Sequence, residues 1–300
     1  LGTSTRYTLL PMLGGALVRD AGEVSVKLRA AYGKGIRPAR TAVGQSAWAG
    51  MRHAVRAEPG VEQQTGVEAG IDVFVGRTLS FQVTRFDQVA SGLVQDGSVV
   101  AAVRSADDGS AGGWSGMYAV DPWAGAHRLR SVGEIGNRGW ELQGTLSRGR
   151  LSVDGSVSLV DSRVRSLAHG YSGDLRPGDR PLEVPAWTAG LTGTWTGTRW
   201  TGSLGAYRAG DWVNYDRIAL AEALGGNGPA GLVPDGEALR SFWRRYDGVT
   251  HLRATATWDL RRGLALMLAG DNLLDRQRGE PDNATILPGR TLTVGLRAAF

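Results

Sequence analysis

The chain has 300 residues, of which 45 are glycine and none cysteine, with 42% hydrophobic residues and a formal net charge of +5. That length allows one large domain, and the absence of cysteine excludes a disulfide framework within it. No run approaches the roughly 18 apolar residues that a spanning helix needs, so a membrane reading has to rest on strands.

The predicted elements are strands throughout, because apolar residues alternate with small or polar ones at period two and helical periodicity is nearly absent. In chain order they run near Arg6–Arg19, Glu23–Gly33, Thr65–Gly76, Thr78–Val94, Arg128–Ser147, Leu151–Arg163, Val184–Thr196, Arg199–Val213, Thr250–Leu260, Leu264–Asn272 and Arg290–Phe300. The connections alternate in length. Tight turns at 20–22, 76–77, 148–150, 197–198 and 261–263 are interleaved with long polar segments at 34–64, 95–127, 164–183, 214–249 and 273–289.

Two strands show the patterning best. In the last, Leu292, Val294, Leu296, Ala298 and Phe300 share one face, with Thr291, Thr293, Gly295, Arg297 and Ala299 on the other. From His251 to Leu260, the residues Leu252, Ala254, Ala256, Trp258 and Leu260 oppose His251, Arg253, Thr255, Thr257 and Asp259. A soluble sandwich rarely turns so many charges towards its core. Tyr7, Tyr32, Trp140, Trp187, Trp195, Trp200, Trp258 and Phe300 sit near strand ends, where a bilayer interface favours aromatics.

The fold expected from these features is all-β, a membrane β-barrel of antiparallel up-and-down strands with about eleven present. Short turns on one side and long loops on the other match bacterial outer-membrane barrels, with the C-terminus on the periplasmic side. Residues 1–6 carry no initiator Met, basic region or long apolar region, so no export signal is read there and the start is expected to be a cut. Lys27 and Lys34 are the only lysines. Arginine forks suit carboxylates and phosphates, although a GC-rich gene gives the same bias.

Three stretches resemble TonB-dependent receptors. Tyr32-Gly33-Lys34-Gly35-Ile36-Arg37-Pro38 is similar to that family's aromatic-Gly-x-Gly-hydrophobic-Arg-x-Pro-like entry into an extracellular loop, and Glu58-Pro59-Gly60-Val61-Glu62-Gln63-Gln64-Thr65 follows it as the family's pre-strand stretch does. Val132-Gly133-Glu134-Ile135-Gly136-Asn137-Arg138-Gly139-Trp140-Glu141-Leu142 resembles the mid-barrel run, with Ser131 in place of the usual Asn. Asp271-Asn272-Leu273-Leu274-Asp275 and Pro288-Gly289-Arg290 through Phe300 resemble the C-terminal signature, with Arg278 where an aromatic is common.

The resemblance implies that residues 1–300 are the C-terminal portion of a 22-stranded barrel, with an N-terminal plug and about eleven earlier strands encoded upstream. It also implies energised uptake of a scarce nutrient such as a siderophore, cobalamin or a glycan across the Gram-negative outer membrane. Its partners would be membrane lipid, lipopolysaccharide, a small-molecule ligand and a TonB-type energising protein reached through the N-terminal part. A passive channel or adhesin barrel is the alternative, and a soluble lectin-like β protein a more distant one.

No Gly-x-Ser-x-Gly elbow, Gly-x4-Gly-Lys loop or His-Glu-x-x-His motif occurs, so no catalytic residues, cofactor or nucleic-acid partner are expected. His53, His127, His169 and His251 lie far apart, and Asp107-Asp108 lacks a surrounding ligand series, so no metal site is read. The candidate ligand surface is the set of loop aromatics Trp114, Tyr118, Trp123, Tyr171, Trp212, Tyr215, Trp243 and Tyr246, with Arg240, Arg244 and Arg245 beside them for an anionic ligand or lipopolysaccharide phosphate. The competing reading is that these aromatics pack among themselves in a solvated loop.

Overall fold

The computed structural model describes residues 9–37, 62–96, 129–171, 173–225 and 236–298. Trp114, Tyr118 and Trp123 lie outside the described residues, as do Tyr7, His53, His127, Asp107, Asp108 and Phe300.

Eleven strands form one continuous sheet: β1 (Met12–Ala21), β2 (Val24–Arg37), β3 (Glu62–Val75), β4 (Leu79–Asp96), β5 (Leu129–Arg148), β6 (Leu151–Leu167), β7 (Trp187–Thr196), β8 (Trp200–Ala209), β11 (Val249–Arg261), β12 (Leu264–Asp271) and β13 (Thr291–Ala298). Each pairs antiparallel with the next, from β1 through β8 to β11, β12 and β13. Between β8 and β11 the chain makes a separate hairpin, β9 (Trp212–Tyr215) with β10 (Trp243–Tyr246), and two short helices, α1 (Arg217–Gly225) and α2 (Gly236–Arg240).

All eleven expected strands are present, with ends displaced by a few residues. The helices and β10 fall in the segment 214–249 expected as loop, while β9 straddles its start: the expected strand Arg199–Val213 ends at Ala209, and Trp212 and Val213 belong to the separate hairpin. The tight turns are shaped by glycine: Gly22, Gly76, Gly149 and Gly263 have φ between 49° and 80°, a left-handed conformation that strains residues bearing a Cβ.

Cross-strand partners share a face, so the registers carry one face around the whole sheet. Leu17, Leu28, Ile71, Val83, Leu142, Val157 and Ala189 are linked partner to partner, and Ala206, Leu252 and Gly270 lie on the same face. The other face carries Lys27, Asp72, Gln82, Gln143, Ser156, Gly190, Tyr207 and His251, again joined by register.

Among the described residues, the apolar face has no second layer over it. Leu17, Leu191 and Leu204 are 67%, 57% and 56% exposed, and Leu292, Val294 and Leu296 are 74%, 68% and 70% exposed. A continuous apolar surface of this extent is unfavourable in water by about 25 cal/mol per Å² and is relieved by hydrocarbon. The face assignment therefore holds for β11 and for the described part of β13.

Aromatic residues bound this face at both ends. Trp140 and Trp187 stand at the long-loop end, flanking Leu159 in register, and Arg85 lies 5.4 Å over the Trp140 ring. At the tight-turn end Trp195 packs on Trp200 with centroids 4.2 Å apart, and Trp200 pairs with Trp258. Among the described residues, two clusters of buried apolar side chains sit at the loop side. One cluster is Ala209, Trp212, Tyr246 and Val249, and the other is Val132, Val164 and Leu175.

Candidate functional site

Three long connections, following β6, β8 and β12, meet at one end of the sheet and bind one another. The hairpin β9–β10 stands in their middle, with Trp212, Asn214 and Tyr246 buried and Arg244 and Arg245 exposed. Trp212 stacks on Tyr246, with centroids 5.9 Å apart and planes 11° apart, and these rings are 4% and 7% exposed.

Most polar atoms of this hairpin are spent inside the assembly. Trp212 Nε1 donates to the Pro281 carbonyl at 2.9 Å. Asn214, 1% exposed, donates to both Glu183 Oε1 and the Pro281 carbonyl at 3.0 Å. Tyr215 Oη and Trp243 Nε1 both donate to the buried Asp174 carboxylate, and Tyr246 Oη donates to the Tyr215 carbonyl at 2.8 Å. Burial, and then Asp174 beside it, push the Tyr215 phenol well above its usual range, so it remains a donor.

Arginines close the outside of the knot. Arg240 forks onto Asp179 and lies 4.3 Å over the Trp243 ring. Although burial works to raise the Asp179 carboxyl, Arg240 and the Arg176 backbone amide carry it below the ordinary carboxylate range. Arg244 reaches Asp216 at 2.9 Å, and Arg245 reaches Asp211, which Arg180 also contacts. Asp216 caps α1 through the Ala219 amide and accepts from Asn283 as well, so its pKa falls to about 2.

Of the candidates read from sequence, the structure gathers Trp212, Tyr215, Trp243, Arg244, Arg245 and Tyr246 into the β9–β10 hairpin, with Arg240 beside it. Tyr171 packs against the cluster of Val132, Val164 and Leu175, and its hydroxyl accepts from the Leu175 amide. The aromatic rings of the hairpin serve mainly as loop core, and the surface it offers outward is that of Arg244 and Arg245, 53% and 72% exposed. Sequence reading missed Asp174, Asp179, Asn214 and Asp282. They are single polar residues within the long connections between sheet strands, and only the third dimension makes them hubs.

The resemblance motifs also acquire physical roles. Gly139 has no room for a side chain: a Cβ there would lie 2.0 Å from the Leu159 carbonyl oxygen and 2.6 Å from the Phe86 ring. Gly133 has φ 117° and runs against the backbone of 166–168. Asn272 holds the final long loop by bonding Arg276 in both directions and the Pro288 carbonyl, while Asp275 Oδ1 accepts from the Arg290 amide. On the polar face, Asp72 is 4% exposed and is held by Arg29 at 3.1 Å and Lys27 at 3.7 Å, with Arg29 also reaching Thr84.

Residues 4–273 match a protein-family model described as TonB dependent receptor-like, beta-barrel. No curated protein matches the sequence. Solved structures do. The ferripyoverdine receptor of the outer membrane of Pseudomonas aeruginosa, bound to ferripyoverdine, is 13% identical with a TM-score of 0.59, over 96% of this chain and 32% of that one. The ferric yersiniabactin uptake receptor FyuA from Yersinia pestis is 18% identical with a TM-score of 0.59, over 97% and 37%. The copper transporter OprC is 16% identical with a TM-score of 0.58, over 97% and 39%. The chain thus spans 32% to 39% of the length of these three structures, and at such identities the likeness is one of fold.

Proposed function

Because this chain belongs to the TonB-dependent receptor β-barrel family, we propose that it forms the C-terminal part of the wall of an outer-membrane receptor for energised uptake of a scarce nutrient. The observation that carries this reading is the continuous apolar face, bounded by tryptophans at both ends, on a sheet whose long connections all leave from one side. On this reading the loop knot lies outside the cell and the C-terminus in the periplasm.

The rest of the barrel and a plug are supplied by upstream segments. The open edges of β1 and β13 support this, because each pairs with one neighbour among the described residues and an unpaired edge in lipid leaves backbone groups without partners. The plug segment carries the contact with a TonB-type energising protein. Arg85, beside Trp140 at the long-loop end of the apolar face, meets lipopolysaccharide phosphate. Similar structures include a ferripyoverdine receptor and a ferric yersiniabactin uptake receptor, which favours a siderophore over cobalamin or a glycan as the nutrient carried through the loops.

The test is growth on poorly soluble iron in an outer-membrane host that lacks its own receptors. The complete receptor should restore growth on a ferric siderophore panel, and removal of the energising protein should abolish it. Growth that persists without that protein would favour a passive channel.

A further inference from the structure

We infer that the tight-turn rim of this wall is a docking surface for anionic phospholipid headgroups of the phosphatidylglycerol kind, held by arginines just beyond the tryptophans of that end. The inference rests on the outer-membrane reading, which sets these turns at the periplasmic leaflet, and goes beyond it in naming a lipid that this rim selects.

Four turns stand side by side along the rim, joining β3 to β4, β5 to β6, β7 to β8 and β11 to β12. Gly76-Arg77-Thr78, Arg148-Gly149-Arg150, Gly197-Thr198-Arg199 and Arg261-Arg262-Gly263 hold six arginines and no carboxylate, and all six arginines are exposed. The β1–β2 turn is mixed, with Asp20 and Glu23 beside Arg19. Asp259, on the polar face at this end, is taken by Arg297 at 3.8 Å.

The turn arginines stand at the lipid-facing side. Arg148 pairs in register with Leu151, and Leu151 with Trp195, so all three share the apolar face. Arg150 lies 5.9 Å over the Trp195 ring, and Arg261 pairs with Leu264 of the same face. Trp195, Trp200 and Trp258 mark the edge of the hydrocarbon. At roughly 3.3 Å per residue the arginines lie within about 10 Å beyond it, at the depth of lipid headgroups. Further strands would extend the sheet from its β1 and β13 edges and a plug would fill its polar side, so neither covers this outward rim.

The opposite end of the same face is built differently. Beyond Trp140, Arg138 and Arg163 both hold Asp161 at 2.8 Å, and Arg165 lies 3.7 Å from Asp87. There the cations come with carboxylates, and on the four turns they come without, so a gene-wide preference for arginine does not explain the contrast. A guanidinium fork fits a phosphodiester. Phosphatidylglycerol offers that group with no cation of its own, whereas a zwitterionic headgroup brings an ammonium that a row of arginines repels. Basic residues beside an anionic leaflet add their attractions, so a run of four turns selects more strongly than one.

The chain has no cysteine, so a thiol can be placed at will. The complete receptor carries its only thiol at Leu151→Cys, beside the rim, or at Leu159→Cys, on the same face at the other end of β6. Each is labelled with the fluorophore NBD and reconstituted into phosphatidylcholine vesicles holding a minority of phosphatidylglycerol. A nitroxide near the head of one acyl chain is carried by one lipid or the other, and its quenching reads the share of that lipid at the thiol. Phosphatidylglycerol should be enriched about threefold over its bulk share at position 151 and not at position 159. Arg148→Gln with Arg150→Gln should return position 151 to the bulk share, and about 1 M salt, where screening acts within about 3 Å, should do the same with the arginines in place. Equal enrichment at the two positions, none at 151, or enrichment that survives either the paired substitution or the salt would each overturn the docking surface. Quenching by neither lipid at either position would instead overturn the lipid-facing assignment on which it stands.

Discussion

Trp187 and Trp195 stand on the same face of β7 at its two ends, with Leu191 midway between them and 57% exposed. At roughly 3.3 Å per residue the two tryptophans are separated by about 26 Å along the strand, which a tilt near 40° turns into about 20 Å of depth. The rings' own width brings this close to the ~25 Å apolar band of an outer-membrane barrel.

Leu191 therefore lies near mid-bilayer, and a charge there has no route to water. Leu191→Arg should destabilise by about 2–4 kcal/mol, and Thr194→Arg, on the opposite face, by clearly less. Urea titration of the complete receptor refolded into phospholipid vesicles measures both. Equal costs would mean that the two faces of β7 do not see different solvents.

Asp174 is the second residue whose role is specific enough to test. It is 3% exposed and accepts from Tyr215 Oη and Trp243 Nε1, which come from the two strands of the β9–β10 hairpin. Asp174→Ala leaves two donors unpaired in a dry site, at about 1–3 kcal/mol. The loss should be local, so hydrogen exchange should quicken across Trp212–Tyr215 and Trp243–Tyr246 while the amides of β6 to β8 keep their protection. Unchanged exchange in the hairpin would remove Asp174 as its anchor.

How much of this was legible in the sequence depended on whether the signal is local. Period-two alternation is written residue by residue, so the strands and both faces could be read without contacts, and the turn glycines fixed the hairpins. The β9–β10 hairpin was not legible, because Trp-Val-Asn-Tyr and Trp-Arg-Arg-Tyr are too short to declare a period and come into register only across the long 216–242 connection. Trp212, Tyr215, Trp243 and Tyr246 stand out in the sequence as loop aromatics, yet their packing as loop core depends on Asp174, Asn214 and the Pro281 carbonyl, each remote in sequence. A glycine inside a strand is by itself only an entropic weakness, and only the register shows that Gly190 and Gly205 are adjacent and hollow out one place in the wall.

The loop knot should respond to acid in a predictable direction. The Ala219 amide is the leading cause that holds Asp216 at about 2, with Asn283 and Arg244 adding to it. A carboxyl lowered on folding contributes stability that is present above its unfolded value, about 3.9, and is lost as pH falls through the folded one. Asp179, Asp211 and Asp282 are lowered too and act in the same sense. The knot should therefore hold at neutral pH and down to about pH 4, and then loosen towards pH 2. Hydrogen exchange of 212–220 and 243–246 read against pH checks this. Asp216→Asn keeps a capping side chain but removes the titrating group, so it should flatten the response around α1. Loosening on raising the pH from 6 to 9 would contradict the assignment.

A last pair of substitutions separates a glycine that the packing demands from one that it merely tolerates. A Cβ at Gly139 would collide with the Leu159 carbonyl oxygen on the neighbouring strand as well as the Phe86 ring, and backbone cannot turn aside as the end of a flexible side chain can. Gly139→Ala should force β5 and β6 apart locally and cost about 1–3 kcal/mol, with faster exchange at Trp140 and Val160. Gly193 lies on the apolar face of β7 with nothing within 4 Å of a Cβ, so Gly193→Ala should be neutral or stabilise by up to about 1 kcal/mol through the unfolded chain. The two are compared in the same vesicle refolding assay. If Gly139→Ala were as benign as Gly193→Ala, the close approach of β5 to β6 would not be what keeps glycine there.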